Sequence, residues 1–468
     1  VTSELHALSI AELGSGLRAR RFTAEQLARH QLARIAAHDG TLAAFVRVCG
    51  ERALREARAA DRDFAGGVDR GPLQGIPYAV KDLFDSAGMP TGCNSRLRSN
   101  HIAREDSAAV ARMSDGGAVL LGKLQLQEFA TGGMGPDSPN PPSRNPWHPG
   151  HATGGSSSGA GVAVSAGFVR IALATDTGGS IRQPAAYCGA VGLKPTYGRV
   201  SRRGVFPLSH SMDHCGPITR SVEDAALALQ VLAGFDPHDP ASADVPAADY
   251  AAPLRAGVAG LRIGVPPGHM GLEPRFDPAV AASLAQATNA LARGGAVVSR
   301  VALPDYDAFY ASGMAIMLAE AYCVHQSDLQ AHLPLYAAKT AERLLLGAAV
   351  TGADLVQAFR VRRRLTEALD TIFDGVDAIL TASAIHGAPP LDGGDNMLAV
   401  PFQIPALPFN LTGHPALHVP TGRDGRGLPI GVQLIGPRFS EATLLRIAAV
   451  LEAASGWKEI PLPALTAV

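Results

Sequence analysis

Three short segments of this chain carry side chains whose types and spacing suit acyl transfer. They are Gly75-Ile76-Pro77-Tyr78-Ala79-Val80-Lys81-Asp82, Gly154-Gly155-Ser156-Ser157-Ser158-Gly159 and Thr175-Asp176-Thr177-Gly178-Gly179-Ser180-Ile181-Arg182-Gln183-Pro184. The run Thr177 to Ser180 has no bulky side chain, so successive backbone N–H groups can converge on one oxygen beside the Ser180 hydroxyl. A serine nucleophile with an oxyanion hole requires this, and losing one such donor typically costs ~3 kcal/mol of transition-state stabilisation. Neither serine segment contains a histidine. A lysine can serve as base instead, because burial disfavours its ammonium and brings its pKa from about 10.4 towards roughly 7–8. Lys81 follows an apolar, strand-like run that can carry it inward. Ser156 or Ser157 can pass a proton from Ser180 to Lys81. Asp176 and Arg182 flank the nucleophile and are expected to pair and hold the loop. Taken singly, glycine–serine clusters mark turns or helix starts, and a lone lysine is a surface charge. The three segments together carry the reading.

Such a set needs a rigid frame. Ser9 can cap a helix ending near Arg20, Thr23 and Gln26 form a capping box for a second helix to about His38, and Glu51 to Ala65 is helical in composition. From Gly75 onward, short apolar runs at Ile76–Val80, Ala118–Leu121 and Ile171–Ala174 alternate with helical patterns at Ser107–Met113 and Gly159–Ala166. Gly260–Val265, Asp377–Thr381 and Ile430–Ile435 read as further strands, and Ala279–Arg293 and Ala341–Phe373 as helices. This texture predicts an α/β fold: one large domain with a central mixed, mostly parallel sheet flanked by helices on both faces. Within it, 1–65 holds N-terminal helices, 70–235 the catalytic core, and 253–468 the rest of the sheet and the pocket helices. Gly132 to Gly154, rich in Gly, Pro, Ser and Asn, is a long loop expected to wall a pocket. Thr131, Gly132, Gly133 and Met134 are the candidate substrate contacts there. Trp147, Phe309, Met314, Met317 and Phe402 are further candidates, chosen for hydrophobicity and position.

Composition narrows the partners. Of 468 residues, 47% are hydrophobic and 18% charged, and the formal net charge is -1. That suits a globular core and gives nucleic acid no basic patch to grip. Five scattered cysteines (Cys49, Cys93, Cys188, Cys215, Cys323) lack metal-ligand spacing and read as reduced thiols. His210, His214, His414 and His418 read as structural, so neither metal nor organic cofactor is expected. The longest uncharged apolar stretch, Gly159 to Val169, is too short to cross a bilayer, and Val1 to His6 has no leader-like pattern. The expectation is a cytoplasmic monomer or homodimer acting on a small molecule.

On these motifs the chain resembles the amidase signature family. The resemblance rests on Gly154–Gly161, on Asp176–Pro184 with its Asp-x-Gly-Gly-Ser-x-Arg-x-Pro pattern, and on Lys81 in Gly-Ile-Pro-x-x-x-Lys-Asp. The separation of Ser156 from Ser180, 180 − 156 = 24 positions, fits. Cys188–Ser201, Gly216–Asp224 and Gly431–Gly436 continue the likeness over nearly the whole chain. It implies that Ser180 attacks the carbonyl, that Ser156 follows a cis peptide bond and relays the proton, and that Lys81 is the final base. It further implies an oxyanion hole from the N–H groups of Thr177, Gly178, Gly179 and Ser180, with Ser157 orienting the relay. The implied substrates are amides, esters or carbamates, cleaved through an acyl-enzyme.

Two other readings compete. Gly192–Ser201 is similar to the amidase subunit of the glutamyl-tRNA amidotransferase, which releases ammonia from glutamine inside a complex. Glutamine needs charged partners for its α-carboxylate and α-ammonium. The run Ala399 to Pro408 is apolar, which favours an acyl, aryl amide or carbamate group. Gly155 to Gly159 also spells Gly-x-Ser-x-Gly, which would make Ser157 the nucleophile of a strand–turn–helix elbow. No strand pattern precedes it.

Overall fold

The computed structural model describes residues 5–132, 137–391 and 405–465. Its strands are β1 Phe45–Val48, β2 Pro77–Lys81, β3 Val119–Leu124, β4 Ile171–Asp176, β5 Val191–Lys194, β6 His214–Thr219, β7 Arg262–Val265, β8 Val297–Arg300, β9 Ala378–Ala382, β10 Ala416–Arg423 and β11 Pro429–Ile435. They form one 11-stranded sheet in the order β1-β3-β2-β4-β6-β5-β10-β11-β9-β7-β8. The sheet is mixed and flanked by helices, as expected. Parallel pairing is not the majority, however: six of the ten strand pairings are antiparallel and four are parallel.

The correction has a physical cause. Parallel neighbours need long, usually helical crossovers, and these give the alternating texture visible in sequence. β5, β6 and β10 carry Gly, Pro or His within short runs and have no such signature. They contribute four of the antiparallel pairings.

Capping chemistry sets the first helices. Ser9 with Glu12, and Thr23 with Gln26, each make both halves of a capping box. The helices run Ile10–Arg18 and Ala24–Leu42, the second longer than expected. The single helical stretch expected over Ala341–Phe373 is divided. A helix Ala338–Leu345 ends in a 3₁₀ turn, Leu346–Ala349, and the chain bends by 92° before a helix Gly352–Phe373 that Thr351 caps. Gly347 sits so close to Leu318 that a Cβ would lie 2.1 Å from its carbonyl oxygen. The 27-residue helix Tyr306–His332, on which this bend packs, gave no clear period in sequence.

All residues of β2, β3 and β4 are buried, as is the helix Ser158–Ser165. Strands covered on both faces can be apolar throughout. A polar residue at the end of such a strand is delivered into the interior. A second buried cluster joins the helices of 306–373 to Phe129, Leu208 and Leu407. Among the described residues no single helix is long and apolar enough to cross a membrane.

Candidate active site

Lys81 is the last residue of β2 and is 0% exposed. Its Nζ donates to Ser156 Oγ at 2.8 Å and to Thr175 Oγ1 at 2.8 Å. Burial lowers its pKa to about 7, against the opposing pull of the Asp213 and Asp176 carboxylates. Two other buried lysines make a useful contrast. Lys123 pairs with Asp82 at 2.9 Å, and Lys194 donates to the carbonyls of His414 (2.6 Å) and Pro195 (3.1 Å). Those two serve a carboxylate or backbone carbonyls. Lys81 faces hydroxyls.

The first serine segment forms a turn pinned at each peptide. The Gly155–Ser156 bond is cis. The Gly155 N–H donates to Gln183 Oε1 (3.1 Å), and the Gln127 N–H donates to the Ser156 carbonyl (3.0 Å). Ser157 Oγ donates to the Thr175 carbonyl at 3.2 Å. The turn then opens the helix Ser158–Ser165. At Gly159 a Cβ would lie 2.2 Å from the Ala44 carbonyl oxygen, so only glycine lets the helix start this close to the neighbouring chain. Ser157 is fully buried, no strand precedes it, and it does not line the cavity described below, so the elbow reading has no support in this geometry.

Ser180 lies in the turn between β4 and the helix Arg182–Cys188. The Asp176 carboxylate organises that turn, accepting the N–H groups of Gly179 (2.7 Å) and Ile181 (3.1 Å) and two guanidinium contacts from Arg182, each at 3.0 Å. Asn410 Nδ2 donates to Asp176 Oδ1 (2.8 Å), while Arg182 also reaches Asn410 Oδ1 (2.6 Å) and Gln433 Oε1 (3.2 Å). Burial alone would raise the Asp176 pKa, but the Arg182 guanidinium holds it well below the usual carboxylate range. The expected four-donor oxyanion hole is altered by this arrangement. The Gly179 hydrogen is directed at Asp176, and the φ of +129° that allows this is a glycine conformation. Thr177 is fixed through its hydroxyl, which donates to Asp213 Oδ1 at 2.6 Å.

Ser156, Ser180, Thr177 and Gly178 meet in the wall of one cavity of ≈ 50 Å³, with Gln127, Thr131 and Gln183 as polar neighbours. Met314, Met317, Leu208 and Leu407 supply apolar wall, and Arg343 from the helix Ala338–Leu345 adds a guanidinium. The candidate contacts divide accordingly. Thr131, Met314 and Met317 line the cavity; Gly132 packs instead against Thr340, whose Oγ1 would be 2.0 Å from an added Cβ. Phe309 belongs to the core. Trp147 donates through its ring N–H to the Cys188 carbonyl (2.8 Å) and stacks near Trp457, away from the cavity. Gly133, Met134 and Phe402 lie outside the described residues. None of the described residues 137–154 lines this cavity, so the long loop is not its wall. Its own polar groups are used in anchoring it, as when Asn145 donates to the carbonyls of Ala152 and Tyr187. His214 and Cys215 are successive residues of β6 and face opposite sides of the sheet.

Thr175, Asp213, Gln127, Gln183, Leu208, Arg343 and Leu407 were not singled out in sequence. Gln183 and Thr175 sit inside or beside the second serine segment, and their polarity next to a nucleophile was the available signal. The others arrive from remote segments with nothing local to mark them.

Known proteins agree with this geometry. The family model for amidases matches residues 26–445. The chain is 38% identical to the amidase component of the glutamyl-tRNA(Gln) amidotransferase from Anaeromyxobacter dehalogenans, covering 98% of each chain. It is 36% identical, with a TM-score of 0.89, to a solved chain from a vestigial protein complex bearing on the origins of an s-triazine catabolic enzyme, covering 95% of this chain and 98% of that one. The peptide amidase of Stenotrophomonas maltophilia is similar at 33% identity and a TM-score of 0.84, with 98% of each chain covered. With a family match across most of its length and relatives alike from end to end, the chain belongs to the amidase signature family.

Proposed function

We propose that this protein hydrolyses carboxylic amides, and esters or carbamates of similar shape, with Ser180 as nucleophile, Ser156 as relay and Lys81 as base. The observation that carries the reading is the buried Lys81 amine, 2.8 Å from Ser156 Oγ, with Ser156 and Ser180 in one cavity wall. In the acylation step the Ser180 proton passes to Ser156 as Ser156 gives its own to Lys81, and Ser180 Oγ bonds to the carbonyl carbon. The N–H groups of Thr177, Gly178 and Ser180 meet the resulting oxyanion, with Gly179 stiffening the turn through Asp176. Ser156 then returns a proton to the leaving nitrogen as the C–N bond breaks, and Lys81 replenishes Ser156. Water attacks the acyl-enzyme by the same proton route. No step calls for a metal, so turnover is expected to survive chelation. Treatment with a small fluorophosphonate and peptide mass spectrometry tests the assignment: the label falls on Ser180 and disappears in Ser180→Ala. Labelling at Ser157 instead would overturn it.

A second reading, glutamine hydrolysis as one component of an amidotransferase, draws on relatives of that name and on Arg343. Its guanidinium in the cavity wall suits an amide that also carries a carboxylate. Among the described lining residues no Asp or Glu offers a partner for an α-ammonium. This balance favours an anionic or neutral amide over free glutamine. Ammonia release from glutamine, measured beside hydrolysis of anilide, aliphatic amide and aryl carbamate, separates the two.

A further inference from the structure

A second cavity, of ≈ 530 Å³, adjoins the first, with Ala130 and Leu208 in the walls of both. Its wall includes Thr175, Asp213 and Cys215. Thr175 is thus shared between this chamber and the amine of Lys81. We propose that Thr175 is a positioning residue for the base: its hydroxyl takes one N–H of the neutral Lys81 amine, which turns the nitrogen lone pair towards the Ser156 hydroxyl. This rests on the reading of Lys81 as base.

The argument is one of hydrogen counts. A neutral amine has two N–H donors and one lone pair, and a hydroxyl can either give or receive a hydrogen. Both oxygens lie 2.8 Å from Nζ, so distance alone leaves the amine free to offer Ser156 an N–H. In that orientation the relay is blocked, because Ser156 has to donate to Nζ. A fixed acceptor on the other side resolves the ambiguity. Thr175 is fixed: it lies in β4, 4% exposed, and its carbonyl is held by Ser157 Oγ at 3.2 Å. When Thr175 accepts from Lys81, its own hydroxyl hydrogen must go elsewhere, and the second cavity gives it water to meet. The same contact steadies the ammonium once Lys81 has taken the proton.

The groups that act on Lys81 are the Asp213 and Asp176 carboxylates and the Cys215 and Cys93 thiols. Burial pushes the Cys215 thiol up to about 12 and the Cys93 thiol higher still, so both stay neutral near pH 7. Asp176 is held ionised by Arg182, and Asp213 is raised by burial while accepting from Thr177, Leu208 and Ser209. The Lys81 amine is then the group whose charge changes in that range.

The test is the pH profile of kcat/KM for Thr175→Val, Thr175→Ala and Thr175→Ser. Removing the hydroxyl takes an acceptor from the ammonium and disfavours it. Valine and alanine should lower the plateau roughly tenfold to a hundredfold and move the rising limb about one pH unit lower, with KM little changed. Serine should restore both. A lower plateau with an unmoved limb in valine and alanine would make Thr175 merely structural and overturn the proposal, as would full activity. Lys81→Met, measured alongside, keeps the two readings apart. An active Lys81→Met sinks the base itself; an inactive one with unmoved Thr175 limbs sinks only the role of Thr175.

Discussion

At the scale of single residues, the chemistry turns on how far burial lowers one lysine. With a pKa of about 7 the Lys81 amine is half neutral at pH 7. The neutral form is the base, so kcat/KM should rise through pH 7 and level off above it. A profile from pH 5 to 9 checks this. Lys81→Arg should be inactive throughout, since a guanidinium does not release its proton in this range. The same shift acts on stability. The folded pKa lies below the unfolded value of 10.5, so the unfolded chain binds more protons between the two, and stability falls as pH drops through that window. Lys81→Met removes this cost, offset in part because Ser156 and Thr175 lose a partner. The variant should be inactive yet more stable at pH 7, on the order of 1–3 kcal/mol by denaturant titration. A less stable Lys81→Met would contradict the buried, half-neutral amine.

Among the elements, the turn after β4 depends on a buried ion pair whose further partners come from far along the chain. Arg182 and Asp176 are both 0% exposed and are joined by Asn410 and Gln433. Removing one charge leaves the other buried and alone, which costs roughly 3–5 kcal/mol. Arg182→Met is therefore expected to lose that much stability and most activity, whereas Arg18→Met, which breaks an exposed pair with Asp69, should change stability by less than about 1 kcal/mol. Urea titration of both variants measures the contrast. The Asp176–Arg182 pairing was legible because both ends lie within seven residues of one motif. Asn410 and Gln433 were not: they stand 228 and 251 positions from Arg182, and only the sheet order that sets β11 and the 407–411 helix near it brings them together. The majority of antiparallel pairings escaped for a related reason, since β5, β6 and β10 reveal themselves by their neighbours rather than by their own sequence.

The molecule as a whole divides its labour. Lys81, Ser156 and Ser180 come from 77–188, where strands are short and apolar and the glycine–serine segments are compact, so this half of the site could be read from residues alone. Met314, Met317, Arg343 and Leu407 come from helices beyond residue 306, where the apolar residues that face the cavity look the same in sequence as those that face the core. Phe309 and Met317 are eight positions apart on one helix; the first is core and the second lines the cavity. If the division holds, changes in the second half should redirect substrate choice and leave the nucleophile untouched. Arg343→Met should lower kcat/KM for an amide bearing a carboxylate at least about tenfold relative to its neutral counterpart, the size expected when a charged contact is lost. The rate at which a small, neutral fluorophosphonate labels Ser180 should stay within about threefold of the parent. Equal losses on both substrates together with slow labelling would mean that Arg343 supports the catalytic turn itself, and that the two halves of the site are not separable.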